Sequence, residues 1–343
     1  MRNGKSPSGA GSTEYLPERV TACILTYVPE ETGYFANRLD VLRLSLHSLL
    51  TNTDRGFDLM VFDNGSCRRV VDYLQSLHDQ GIVRYLILSS QNIGIHGGLR
   101  IMFNAAPGEV IAYSQDDVCF YPGWLSASLE ILDTFPKVGL VSGVAVRSQF
   151  GYGNQYLSGY LSDFPDMSVA RGHFIPDVWE VEFYESTGRD GQSGLTGARS
   201  AYEDIVLEYK GIKAFSTAVH FQYVARKEVL LKGLSHSWSG RLMVGPDIEM
   251  DERIDSLGLA RLSTYHRYVR HVGNAITPAL KRSVTGLLPS RIRTWSAPAP
   301  WVASMIRRRL IRGVLKRLNS WSYFLLGHEP DKGQPQPPYD TAG

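Results

Sequence analysis

Cysteine is scarce in the 343-residue sequence: Cys23, Cys67 and Cys119 are odd in number and widely scattered. That excludes a disulfide framework, and the spacing matches no zinc site. Cys23 and Cys119 lie in apolar stretches, where free buried thiols are expected. A reducing cytoplasm fits the pattern. Long apolar runs are also missing, since none approaches the roughly 18 residues of a membrane-spanning helix. The opening MRNGKSPSGAGSTEY holds no apolar h-region, so a signal peptide is not expected. Residues 1–18 are expected to be a disordered tail, because Gly, Ser and Pro bury too little surface to offset their ordering entropy. No internal repeat is present.

Acid is absent where base is dense. Between Ser256 and Pro330 the sole acidic residue is Glu329, whereas Arg261 to Arg317 holds thirteen basic residues. The net charge of +2 therefore conceals an acidic body and a basic C-terminal segment. An anionic partner is expected for that segment. With 43% hydrophobic and 20% charged residues, the remainder has the composition of a globular protein.

Strands and helices alternate through the first half. Short apolar runs at Val20–Tyr27, Phe57–Phe62, Val83–Leu88, Val110–Ser114 and Val138–Val146 have the pattern of buried parallel strands. Helical spacing lies between them, at Leu39–Leu50, Val70–Leu77, Gly98–Ala106 and Leu125–Phe135. In Leu39–Leu50 the apolar stripe is Leu42, Leu46, Leu49 and Leu50, with Leu44 off it. This order predicts an α/β fold with a mostly parallel sheet covered on both faces. Ligands of such sheets bind at the carboxyl ends of the strands. The polar clusters Thr26-Tyr27, Asp63-Asn64, Asn92 onward and Asp116-Asp117 all fall there. Residues 147–213 lose the alternation, are too long for a plain loop, and are expected to fold over one end of the sheet. Regularity returns at Ala214–Leu231 and, with helical character, at Gly245–Gly258.

Asp116 and Asp117 follow an apolar strand and precede Tyr121-Pro122-Gly123-Trp124. Adjacent carboxylates repel and favour a cation beside them. A hard divalent ion, Mn2+ or Mg2+, takes carboxylate oxygen and bridges to phosphate. Taken alone, the pair better suits an exposed turn or helix cap, where Asp is common. A nucleotidyltransferase would want a Gly-rich basic loop straight after the first strand, and Thr26-Tyr27-Val28-Pro29-Glu30 is not one.

The stretch QNIGIHGGLRIMFNAAPGEVIAYSQDDVCFYPGWL resembles the family 2 glycosyltransferases, with their GT-A fold. The resemblance runs through Leu25-Thr26-Tyr27, Asp63-Asn64-Gly65-Ser66, Asn92-Ile93-Gly94, Gly97-Gly98, Ala106–Glu109, Gln115-Asp116-Asp117 and Pro122–Leu125. Downstream, Gly245–Glu249 with Arg253 and Gly258, and then His271-Val272-Gly273, look like the family's later segments. It covers roughly residues 19–274 and implies a Rossmann-like GT-A catalytic domain at 19–275, with 147–213 as a divergent acceptor-side region. The implied activity is inverting transfer from a UDP- or dTDP-sugar to a hydroxyl of a glycan or lipid-linked acceptor. Retaining transfer stays open, since fold does not fix stereochemistry.

The resemblance assigns roles residue by residue. Asp63 would accept from a base N–H or ribose hydroxyl, or close an Asx turn. Thr26, Tyr27, Asn64, Asn92, Gln115 and Asp116 would line the donor site. Gly94, Gly97 and Gly98 would let backbone approach the diphosphate at a helix N-terminus. Asp117 is the implied metal ligand, with His271 adding a nitrogen from the far side. Gln115 stands where the family has an acid, and it adds no charge. Asp247 falls at the family's general base, and Pro246, which suits a first helical turn, replaces the preceding Glu. Glu249 and Trp238 are acceptor-side candidates, Trp238 as a sugar platform or a core residue. Asp251 and Glu252 are expected to be solvated. Gln115 and Pro246 also keep open a non-catalytic scaffold.

Residues 276–326 are expected to form a basic helical extension. Within it, residues 301–326 place Met305, Leu310, Val314, Leu318, Trp321 and Leu325 at near-helical spacing beside Arg307, Arg308, Arg309, Arg312, Lys316 and Arg317. A basic amphipathic helix with Trp anchors suits an anionic membrane surface, on the inner face. It equally suits packing on the acidic body or across a homo-oligomer interface. Nucleic acid is not the expected partner, because no aromatic-basic groove is present. The Pro-rich residues 327–343 are expected to be disordered.

Overall fold

The computed structural model describes residues 16–151, 156–234 and 246–283. The basic residues 301–326 and both expected tails, apart from residues 16–18, lie outside them.

The first half alternates as the spacing predicts. It runs β1 (Val20–Thr26), α1 (Arg38–Asn52), β2 (Asp58–Asp63), α2 (Arg68–Asp79), β3 (Tyr85–Leu88), α3 (Gly94–Ala105), β4 (Val110–Gln115), β5 (Val118–Phe120), α4 (Trp124–Thr134) and β6 (Val138–Ser142). Every residue of β1, β2 and β6 is buried, as strands covered on both faces require. The second half continues through α5 (Leu157–Asp163), β7 (Ser168–Gly172), α6 (Asp177–Ser186), α7 (Gly191–Ala201), β8 (Asp204–Tyr209), β9 (Ile212–Phe215) and β10 (Gln222–Arg226). It closes with α8 (Lys227–Gly233), α9 (Pro246–Ser256), β11 (Ala260–Thr264), β12 (Val269–His271) and α10 (Pro278–Ser283).

Ten strands form one sheet in the order β3-β2-β1-β4-β10-β6-β11-β9-β8-β7. The ladder β3-β2-β1-β4 and the pair β6-β11 are parallel, while β10, β9 and β7 run the other way. This is the α/β sheet with flanking helices that the resemblance implied. Register aligns Thr26 with Asp63 and Leu25 with Gln115, so three polar strand ends share one rim. A separate two-stranded ribbon pairs β5 with β12 and sets His271 opposite Val118.

Helix α1 departs from a one-sided stripe. Leu42, Leu46, Leu49 and Leu50 are buried as expected, but so are Val41 and Leu44. The latter two pack with Cys119, Val272 and Leu280 on the ribbon side. The helix is roofed on both faces, between sheet and ribbon, and each buried Leu contributes about 2 kcal/mol.

Residues 147–213 do more than fold over an end: β7, β8 and the start of β9 extend the sheet edge. Their polar centre is Arg147, whose Nε and Nη2 donate to Asp204 at 2.7 and 3.1 Å. Asp204 also accepts from Phe174 N and Ile175 N, and Glu180 accepts from Arg147 N. Arg147, Glu180 and Asp204 are all buried, and burial pushes Glu180 up to about 7.

Candidate active site

The rim begins with Thr26, Asp63 and Asn64. Asp63 Oδ2 accepts from Ser66 N at 3.1 Å, closing the Asx turn, while its Oδ1 is buried and unpartnered. One carboxylate thus closes the turn and keeps an acceptor in reserve. Burial raises its pKa, and Ser66 opposes that shift. Asn64 is a clamp: its N donates to Thr26 O at 2.9 Å, its Nδ2 to Asn92 Oδ1 at 3.0 Å, and its Oδ1 accepts from Ile93 N at 2.9 Å. Asn92 Oδ1 also accepts from Gly94 N at 2.8 Å. Two N–H groups at the entry of α3 are therefore already occupied.

Helix α3 begins four residues earlier than the expected Gly98, so Gly97 and Gly98 lie inside it rather than in a turn. Gly94 carries the turn, with φ of +77°. A Cβ on Gly98 would stand 2.8 Å from Leu25 Cδ1, so this glycine seats α3 against β1. His96 in the first turn, which sequence reasoning passed over, is buried with Nε2 unpartnered. Tyr27 is half-buried, with its ring edge-on to Phe35 at 5.9 Å. Gln115 ends β4, its N donating to Phe221 O at 2.9 Å.

Asp116 and Asp117 are buried, and the cation they call for is supplied by the chain itself. Arg38, 8% exposed at the start of α1, donates from Nη2 to Asp116 Oδ1 and from Nη1 to Asp117 Oδ2 at 2.8 Å. Nη1 also reaches Gly273 O at 3.0 Å. Thr26 Oγ1 donates to Asp116 Oδ2 at 2.5 Å. Burial raises Asp116 against the pull of Arg38. Burial would raise Asp117 as well, but His271 and Arg38 together hold it below the usual carboxylate value. Arg38 carried no local signal, because Asp40 and Arg43 share its end of α1 and make it an ordinary charged helix start.

His271 comes in from the ribbon. Val272 N donates to Asp117 O at 2.7 Å, and His271 Nε2 lies 3.4 Å from Asp117 Oδ2. Behind the ring are Ser186 Oγ, 2.8 Å from Nδ1, and the rings of Phe221 and Phe183 at 5.0 and 6.0 Å. Ser186 and Phe183 belong to α6, which Glu182 docks onto the ribbon through Arg267 and, at 3.0 Å, Arg270. The divergent region thus reaches the expected metal ligand, through residues no sequence motif announced. Gly273 explains the end of the His-x-Gly segment: its φ is +77° and a Cβ there would stand 2.2 Å from Ser186 O.

These residues fit a divalent ion. Asp117 Oδ1 is buried and unpartnered, and two ligand atoms on one such ion lie about 3 to 3.5 Å apart. Asp116, Asp117 and Arg38 together keep one net negative charge. Among the described residues no cluster of three His, Cys, Asp or Glu side chains forms, so an ion held by Asp117 and His271 would need its other ligands from elsewhere, such as phosphate and water.

Helix α9 carries Asp247 in its first turn, where the side chain lies outside the described residues, as does Trp238. Glu249 is half-buried and pairs with Arg253 one turn on, at 2.7 Å. Asp251 corrects an expectation, because it is fully buried rather than solvated. It meets Arg261 Nη2 at 2.5 Å and His220 Nδ1 at 3.3 Å. Arg261 Nη2 also donates to Ala218 O at 2.9 Å, so α9 is stapled to β11 and to the segment entering β10.

The family model described as Glycosyl transferase family 2 matches residues 35–193. A curated relative, an uncharacterized glycosyltransferase of Nostoc sp., is 27% identical over 100 residues, covering 29% of this chain and 31% of that protein. Among solved structures, GalNAc-T7 with UDP, GalNAc and Mn2+ aligns over 75% of this chain and 44% of its own, at 11% identity and a TM-score of 0.46. The mannosyltransferase PcManGT from Pyrobaculum calidifontis, in complex with GDP-Man and Mn2+, aligns over 40% of this chain and 38% of its own, at 22% identity and a TM-score of 0.29. The matched part spans under a third of the curated relative and under half of either structure.

Proposed function

We propose, from the premise that residues 35–193 belong to glycosyltransferase family 2, that the chain moves a sugar from a nucleoside-diphosphate donor to an acceptor hydroxyl. The observation that carries this reading is the cluster of buried Asp116, Asp117 and Arg38 with half-buried His271, on the rim that also holds Asp63.

Each residue has a part. Asp63 Oδ1 accepts from the base or ribose of a UDP- or dTDP-sugar. Thr26, Tyr27, Asn64, Asn92, Gln115 and Asp116 line the donor, and Gly94, Gly97 and Gly98 hold α3 close beneath it. Asp117 and His271 would hold Mn2+ or Mg2+. A bound ion would supply positive charge beside the diphosphate, offsetting the negative charge that builds on it as it leaves. Asp247, as general base, takes the proton of the acceptor hydroxyl. The hydroxyl oxygen bonds the anomeric carbon as the bond to the diphosphate breaks, and that electron pair leaves with the diphosphate. Attack from the opposite face inverts the centre. Glu249 and Trp238 meet a glycan or lipid-linked acceptor. No helix among the described residues is long and apolar enough to cross a membrane; the basic sequence at 301–326 supports contact with an anionic leaflet. Residues 19–275 form the catalytic domain in this reading.

A panel of nucleotide-sugars with Mn2+ or Mg2+, read as diphosphate release and thermal shift, tests it. Wild type should show metal-dependent donor binding that Asp117→Ala lacks. Equal metal-dependent binding by both proteins would remove Asp117 as ligand.

A further inference from the structure

The hydrogens around Ser186 can be counted. Its Oγ lies 2.6 Å from Phe183 O and 2.8 Å from His271 Nδ1. A carbonyl oxygen has no hydrogen to give, so an oxygen–oxygen contact of that length takes the single hydroxyl hydrogen of Ser186. Toward His271 the same oxygen can then only accept. Nδ1 therefore carries a hydrogen, and Nε2 is the ring nitrogen with the exchangeable position.

Nε2 is also the nitrogen that faces Asp117 Oδ2, at 3.4 Å. In a neutral ring with Nδ1 protonated, the Nε2 lone pair faces the Asp117 carboxylate across that gap, and a cation seated beside both groups would turn the repulsion into ligation. The seating is rigid: Gly273 passes too close to Ser186 O to admit a side chain, and Glu182 ties α6 to Arg267 and Arg270. Phe183 and Phe221 lie against the ring, with centroids 6.0 and 5.0 Å away.

We propose that Ser186 is a positioning residue that fixes Nδ1 of His271 as the protonated nitrogen and so presents Nε2 to the divalent ion. The inference rests on the metal-dependent donor reading above. It also gives the divergent region a part in the donor site, beyond any part in acceptor choice. Outer-sphere partners of this kind set ligand tautomer, and losing one typically weakens metal binding about 10- to 100-fold.

Two measurements on the full chain test it. Ring-nitrogen NMR of 15N-histidine-labelled protein, with the His271 signal assigned by its loss in His271→Gln, should show Nδ1 protonated in wild type and in Ser186→Thr. In Ser186→Ala the Nε2-protonated tautomer should appear. Mn2+ binding with saturating UDP, dTDP or GDP, followed by the fall of the free-ion EPR signal, should weaken about 10- to 100-fold in Ser186→Ala and stay near wild type in Ser186→Thr. An Nε2-protonated ring in wild type, or unchanged Mn2+ affinity in Ser186→Ala, would overturn the proposal. If wild type binds Mn2+ with none of the three nucleotides, the donor-site reading fails, and the NMR result still judges Ser186.

Discussion

Arg38 donates to Asp117 Oδ2 at 2.8 Å through one terminal nitrogen and to Asp116 Oδ1 through the other, so a single guanidinium spans both carboxylates. The pair that would attract a metal ion is thus already half neutralised by the fold.

Removing that cation leaves two buried charges uncompensated. Arg38→Met should lose about 3–5 kcal/mol at neutral pH, the usual cost of breaking a buried pair from one side. Arg38→Lys keeps the charge and should lose less. Urea denaturation with and without Mn2+ measures both; added Mn2+ should recover more stability in Arg38→Met than in wild type. Equal stability of all three proteins would show the pair to be energetically idle.

Gly273→Ala asks for two things at once, a side chain at φ +77° and a Cβ 2.2 Å from Ser186 O. Backbone strain alone costs about 1–3 kcal/mol, and the clash should lift α6 from the ribbon. Lower thermal stability together with weaker Mn2+–nucleotide binding is expected. Unchanged binding would mean that α6 does not support His271.

Glu180 gives a pH test. Its carboxyl is raised by burial to about 7 from its ordinary value of 4.5, so the folded state holds the proton more tightly than the unfolded one. Stability from this group is full below about 4.5 and is lost as pH rises through about 7, by an amount on the order of 3 kcal/mol. Asp117, held below its usual value, has the opposite sign and loses its contribution in acid. Glu180→Gln should therefore match wild type in acid and exceed it above pH 7, about as wide a gap as the shift allows. Parallel pH profiles for the two proteins would disprove the assignment.

Asp247→Asn separates binding from chemistry. Donor and Mn2+ binding should stay near wild type while turnover falls about 10²- to 10⁴-fold, the typical contribution of a positioned base. Unimpaired transfer would remove Asp247 as the base.

Much of this was legible because strand ends are marked by composition. Thr26, Asp63 and Gln115 each close an apolar run, and register alone aligns them. His271 was legible through its His-x-Gly neighbours, although the reason for the glycine, the close passage of Ser186, was not. Arg38 escaped because its partners lie 78 and 79 residues away, and pairing across such distances leaves no periodic trace. Asp251 was misjudged because its neighbours on α9 are polar; the buried partner, Arg261, arrives from the next strand. Residues 147–213 resisted for a similar reason, since their organising pair, Arg147 and Asp204, is 57 residues apart.

The chain leaves β4 at Gln115 and enters β5 at Val118, so Asp116 and Asp117 are the whole of the link between those two strands, one in the ten-stranded sheet and the other in the ribbon. The acid pair is a seam. Its upstream side ends on the rim that holds Thr26 and Asp63, and its downstream side continues into the strand pair that also carries His271. A substitution that shifts the ribbon's register or tilt therefore acts as a lever on Asp117 and His271 together. The spacing of Asp117 and His271 is then set in part from outside the pair, at ribbon positions such as Cys119 and Arg270.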